Sequence, residues 1–140
     1  MKPPTILYVE DEADDIFFMR MAFERERIAV DFRSVSDGAR AMAYLAGDPP
    51  YDQRSSPPLP TLVLLDLNLP LRSGFEVLEW LRRRAEFQQV PVVVFSSSGR
   101  PEDRARAQGL GATEYLLKPS SGLQFGSVAR AVATHWQAKR

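Results

Sequence analysis

The hydrophobic positions of this chain fall into two kinds of pattern. Ile6-Leu7-Tyr8-Val9, Thr61-Leu62-Val63-Leu64-Leu65 and Pro91-Val92-Val93-Val94-Phe95 are short apolar runs that stop abruptly at a polar or acidic residue. Continuous apolarity without alternation predicts strands covered on both faces, as in a parallel sheet. Residues 28–35 alternate and are more polar, which predicts a strand at the sheet edge, and 113–117 predicts a fifth strand. Between the strands the period changes. Ile16, Met19, Ala22 and Phe23 share one face at about 100° per residue, so 13–27 is a predicted helix. Asp37 can cap a helix over 39–45 and Gly47 can stop it. Residues 73–84 form a third helix with Val77, Leu78 and Leu81 inward. Residues 100–108 form a short polar one with Pro101 at its start. Residues 121–138 form the last, burying Phe125, Val128, Ala129, Val132 and Trp136.

Five strands alternating with five helices predict an α/β fold. Right-handed crossovers then give a doubly wound parallel sheet with helices on both faces. One stretch, 48–60, breaks the pattern. It holds five of the eleven prolines, Pro49, Pro50, Pro57, Pro58 and Pro60. This predicts an irregular loop, either a surface insertion or a partner contact.

Composition narrows the function classes. The 140 residues suffice for one domain, expected to span 1–140, and 44% are hydrophobic, which excludes disorder along the whole length. Lys plus Arg and Asp plus Glu both number 18, so no chain-wide basic footprint points to nucleic acid or an anionic membrane. With no cysteine, a disulfide scaffold, a zinc–thiolate site, an iron–sulfur cluster and a thiol nucleophile are excluded. No apolar stretch approaches a bilayer span and the start lacks a signal-peptide pattern. The expectation is a cytoplasmic protein.

Four of the five strands end in a reactive residue: Glu10-Asp11, Asp66, Ser96 and Lys118. In an open α/β sheet, ligands bind beyond the carboxyl ends of the strands. If the strand order is 2-1-3-4-5, the first and third strand ends are neighbours and three carboxylates crowd together. Such a cluster needs counter-charge or a bound proton. Lys118 supplies one positive charge, and an all-oxygen acidic site suits Mg2+. A carboxylate can attack phosphorus to give an aspartyl phosphate, while a lysine and a cation neutralise the transferring oxygens.

At this point the residues match a family. Ile6 to Glu12, Leu64-Leu65-Asp66-Leu67-Asn68-Leu69-Pro70 with Gly74, Pro91 to Ser97, and Gly111 to Pro119 together resemble the receiver domain of two-component response regulators, with its flavodoxin-like fold. The resemblance implies that Asp66 is the phosphoacceptor. It implies that Asp11 and Asp66 hold Mg2+ by side chain, Asn68 by its backbone carbonyl and Glu10 through a water. Lys118 would contact a phosphoryl oxygen, with a cis bond to Pro119. Ser96 would be the switch hydroxyl and Tyr115 the coupled rotating aromatic. The donor would be a sensor histidine kinase or a histidine phosphotransfer protein. The first helix and the Pro-rich insertion are similar to regulators serving bacterial phytochrome kinases. Family members often pair through helix four, strand five and helix five, which implies a homodimer here.

Rival readings are a haloacid-dehalogenase-like phosphatase, a flavin binder and a degenerate receiver acting only as an interaction module. The first needs an acid where Asn68 stands. The second needs a phosphate-cradling loop where Glu10, Asp11, Glu12, Asp14 and Asp15 stand, and the third would lack active-site residues that are all present. Phe17 and Met21 lie opposite the buried stripe of the first helix, one turn apart, and are a candidate docking patch for the kinase. His135 is expected at the surface, Arg82-Arg83-Arg84 as a solvated helix end, and Trp80 and Trp136 as packing residues.

Overall fold

The computed structural model describes residues 3–52 and 59–137. Pro57 and Pro58 of the irregular stretch and Ala138 of the last helix lie outside them. The strands are β1 (Thr5–Val9), β2 (Asp31–Val35), β3 (Leu62–Leu65), β4 (Val92–Ser96) and β5 (Glu114–Leu117). The helices are α1 (Ala13–Arg25), α2 (Gly38–Ala46), α3 (Gly74–Arg83), α4 (Pro101–Gly109) and α5 (Phe125–Gln137). The strands form one parallel sheet in the order β2-β1-β3-β4-β5, as the sequence predicts.

Side chains alternate across the sheet and so divide the core in two. Leu7, Val9, Val63, Leu65, Val92 and Val94 face α2 and α3, meeting Tyr44, Leu45, Val77, Leu78 and Leu81. Ile6, Tyr8, Leu62, Leu64, Val93 and Phe95 face α1 and α5, meeting Met19, Ala22, Phe23, Phe125, Val128 and Val132. Every residue of β1, β3 and β4 is buried, which is why their sequences do not alternate. Each fully buried aliphatic or aromatic side chain contributes about 1.5–3 kcal/mol.

The helix ends follow their local chemistry. Asp37 accepts a hydrogen bond from the Arg40 N–H at 2.7 Å, and Gly47, at φ 74°, ends α2 in the left-handed region that glycine adopts freely. Ser73 and Glu76 form a capping box on α3. Gly74 lets the start of α3 lie against β3, because a Cβ there would collide with the Asp66 carbonyl oxygen.

Three expectations are revised. The last helix begins with a short 3-10 turn, Gly122–Gln124, capped by Ser121, before α5. Of the arginine run, Arg83 is solvent-exposed as expected, but Arg82 is half-buried. Arg82 donates to the carbonyls of Phe87 (2.9 Å), Gln88 (3.3 Å), Val90 (2.9 Å) and Gly111 (3.0 Å), because the connections entering β4 and β5 present their orphan carbonyls to it. His135 is largely covered, with Nε2 2.7 Å from Glu114 Oε1 at the start of β5. The tryptophans do pack: Trp80 stacks on Phe87 with centroids 6.0 Å apart, and Trp136 lies against the α1–α5 core.

Candidate functional site

Strand register brings the reactive residues together. Val9 pairs with Leu65 and Leu65 with Val94, so Glu10 and Asp66 leave the sheet at one level. The Asp66 N–H donates to the Val9 carbonyl at 3.1 Å, extending the ladder one residue beyond the strands. The Lys118 N–H donates to the Ser96 carbonyl at 2.8 Å, which returns the lysine from β5 toward the acids.

Glu10, Asp11 and Asp66 each offer a carboxylate oxygen, all within 4.8 Å of one another. Glu10 is fully buried and Asp66 nearly so, while Asp11 lies at the solvent side. Glu10 accepts from the Tyr8 hydroxyl (3.0 Å), the Glu12 N–H (3.2 Å) and Lys118 Nζ (2.6 Å). Asp66 accepts from the Asn68 N–H through Oδ1 and from Lys118 Nζ through Oδ2, both at 3.2 Å. Nζ also donates to Asp15 Oδ2 at 2.8 Å. The ammonium therefore spends its three protons on three carboxylates.

The electrostatics follow. Burial pushes the Glu10 carboxyl up to about 7; Lys118 opposes that rise and the negative charge of Asp66 adds to it. Burial works against the charged form of Lys118, but its bonds to Asp15 and Glu10 and the charge of Asp66 outweigh it and hold the ammonium above its ordinary range. Burial, and then Glu10, raise the Tyr8 phenol. One lysine meets three carboxylates, and Asp11 adds a fourth to the cluster. A set of close oxygens with unbalanced negative charge fits a hard divalent cation.

The other half of the edge is the β4–α4 loop. Ser96 is fully buried, and its Oγ accepts from the Ser98 N–H at 3.1 Å. The Ser98 hydroxyl donates to Asp103 Oδ2 at 2.6 Å, and the Ser98 carbonyl accepts from the Tyr115 hydroxyl at 2.8 Å. Tyr115 is buried, with the Arg104 guanidinium 4.6 Å above its ring. The Tyr115 ring is thus buried and tethered to the loop by its hydroxyl.

Two further expectations change. Among the described residues the cis peptide bond is Pro49–Pro50, so the Lys118–Pro119 bond is trans; an X–Pro bond permits either form at small energetic difference. On α1, Phe17 is exposed as expected, at 55%, but Met21 is half-buried. Phe18 packs against Phe125 across the α1–α5 seam, and that seam covers part of Met21. Phe17, Phe18, Met21 and Leu123 line a cavity of about 440 Å³ between the helices. Asp15 was missed as a site residue. It stands in the first turn of α1 beside Asp14, and nothing in that spacing marks it out.

Residues 6–126 match the response regulator receiver domain family. The chain belongs to that family. It works in two-component phosphorelay signalling. It is 30% identical to the response regulator Rcp1 of Synechocystis sp. over 134 residues, covering 96% of this chain and 89% of Rcp1. The phosphorylated cyanobacterial phytochrome response regulator RcpA superposes with a TM-score of 0.88 at 30% identity, covering 99% of this chain and 96% of RcpA. RPA3017, which acts in red light signalling of R. palustris, gives 0.88 at 31% identity, covering 98% and 96%. Rcp1 has also been solved with Mn2+ bound, at TM-score 0.85, 30% identity and 96% and 94% coverage. Receiver domains are phosphorylated by histidine kinases and carry an acidic pocket for Mg2+ or Mn2+; the cluster of Glu10, Asp11 and Asp66 has that form. No helix among the described residues is long and apolar enough to cross a membrane.

Proposed function

We propose that this receiver takes a phosphoryl group from a phosphohistidine onto Asp66 in a Mg2+-dependent reaction. The observation that carries the reading is the Lys118 ammonium held 3.2 Å from Asp66 Oδ2 within a cluster of buried acids. An Asp66 carboxylate oxygen forms the new bond to phosphorus. The donor's P–N bond breaks, and its electron pair returns to the imidazole ring. Lys118 then serves a phosphoryl oxygen, since Asp66 loses its charge on becoming an acyl phosphate. Asp11 and Asp66 would hold the cation with the Asn68 carbonyl, and Glu10 through a water; bound there, it supplies positive charge to the transferring oxygens. The chain thus promotes only its own phosphorylation and dephosphorylation. Ser96 Oγ would leave the Ser98 N–H for the phosphoryl group, a stronger, charge-assisted bond.

The donor best supported is the kinase of a bacterial phytochrome in the cytoplasm, given the kinship with Rcp1, RcpA and RPA3017. Phe17 and Met21, with the exposed Leu123 beside them, would receive its helices. The α4–β5–α5 face would form a homodimer, and a monomer by sedimentation in both phosphorylation states would reject it. Acetyl phosphate with Mg2+ should add one phosphoryl mass to the wild type. Asp66→Asn or removal of Mg2+ by a chelator should abolish it. Undiminished labelling of Asp66→Asn would overturn the assignment. Phe17→Ser with Met21→Ser should slow transfer from the kinase while acetyl phosphate labelling persists.

A further inference from the structure

The receiver reading uses Glu10, Asp11, Asp66 and Lys118, and leaves Asp15 without a task. Asp15 sits in the first turn of α1, partly exposed, and its Oδ2 lies 2.8 Å from Lys118 Nζ. That is shorter than the contact between Nζ and Asp66. The lysine side chain is long and rotamer-rich, so a single anchor would leave its head free to wander. Here it has two anchors from different elements, Glu10 at the end of β1 and Asp15 on α1, at 2.6 and 2.8 Å. An ammonium has three protons in a fixed tetrahedral arrangement. With two held by Glu10 and Asp15, the third has one direction left, and Asp66 Oδ2 accepts it at 3.2 Å.

We propose that Asp15 is a positioning residue for phosphoryl transfer: it and Glu10 triangulate the Lys118 ammonium so that its third proton faces the bond being made at Asp66. The inference rests on the reading of Asp66 as acceptor. When Asp66 becomes an acyl phosphate, the third N–H redirects its hydrogen bond to a phosphoryl oxygen and the ammonium stays charged. Asp15 and Glu10 keep the other two, so the lysine need not be repositioned. Glu10 is buried and cannot do this alone, because its contact fixes the distance of the ammonium from β1 but not its offset toward α1.

The test compares Asp15→Asn with Asp14→Asn. Asp14 is exposed on the same turn, so its variant removes the same charge from α1 as Asp15→Asn does. Asp15→Asn should slow labelling by acetyl phosphate about tenfold, the scale expected for a misplaced charge near the reacting atoms. Asp14→Asn should stay within twofold of wild type, and Asp15→Glu should recover most of the rate. In the metal-free protein, the NH3+ resonance of Lys118 should be sharp in the wild type and in Asp14→Asn, and broadened in Asp15→Asn. Labelling of Asp15→Asn at the wild-type rate, an equal loss in Asp14→Asn, or an unchanged Lys118 resonance in Asp15→Asn would each overturn the proposal. Failure of the wild type to label at Asp66 would instead remove the acceptor reading itself, so the two failures are distinct.

Discussion

The two halves of the functional edge are held by different physics. At β1 and β3 the bonds run mainly between charged side chains: Glu10, Asp15 and Asp66 share one ammonium. At β4 and β5 they run chiefly between neutral side chains and backbone: the Ser98 N–H donates to Ser96 Oγ, and the Tyr115 hydroxyl donates to the Ser98 carbonyl. The first half is short of positive charge and gains from any cation or proton that enters. The second is satisfied: Asp103 accepts from the Ser98 hydroxyl, and the Arg104 guanidinium lies over the Tyr115 ring. The difference suggests separate duties. The charged half fixes where chemistry happens, and the neutral half can exchange one hydrogen bond for another at little cost, as a switch must.

The sharpest way to break this contrast is to remove the shared ammonium. Lys118→Met should destabilise the metal-free protein by about 3 kcal/mol at pH 8, because buried Glu10 loses its compensating charge. Denaturant unfolding should show the loss shrinking at pH 6, where Glu10 can take up a proton instead. An equal loss at both pH values would show that packing, not charge, holds the pocket.

A second test uses pH alone. The Glu10 carboxyl sits near 7 in the folded protein, against about 4.5 unfolded. The folded state therefore keeps a proton that the unfolded state releases. Stability of the metal-free wild type should fall as pH rises from about 4.5 to 7 and level off above, by on the order of 3 kcal/mol. Saturating Mg2+ should flatten the slope. A flat profile without metal would remove the charge-deficit description.

The smallest effect belongs to the neutral half. Asp103→Ala frees the Ser98 hydroxyl and should cost about 1 kcal/mol. Amide exchange in the β4–α4 loop should quicken, while acetyl phosphate labelling stays within twofold. Slowed labelling would show that the halves are coupled even before phosphorylation.

Much of this arrangement was legible in the sequence. Runs such as Leu62 to Leu65 announce a strand buried on both faces, and Asp37 and Gly47 mark the ends of α2. The acids and Lys118 stand at strand ends, where a parallel sheet must collect them. The illegible parts were long-range partnerships of residues that look solvated. Arg82 lies in a run of three arginines, and only the path of the chain before β4 and β5 shows that it faces carbonyls. Asp15 sits among four other acids, and nothing local says which one reaches a lysine 103 positions away. Met21 follows the helical period toward solvent, yet the neighbouring α5 partly covers it.

Arg82 also bears on how a signal could travel. Its guanidinium ties the end of α3 to the segments entering β4 and β5, at the pole opposite the acids. That pole is therefore a clamped base, like the fixed end of a tuning fork. On the receiver reading, a rearrangement of hydrogen bonds at the reactive pole would have the loop of Ser98 and the face of α4 as its outlet, a change of outline that a partner can feel.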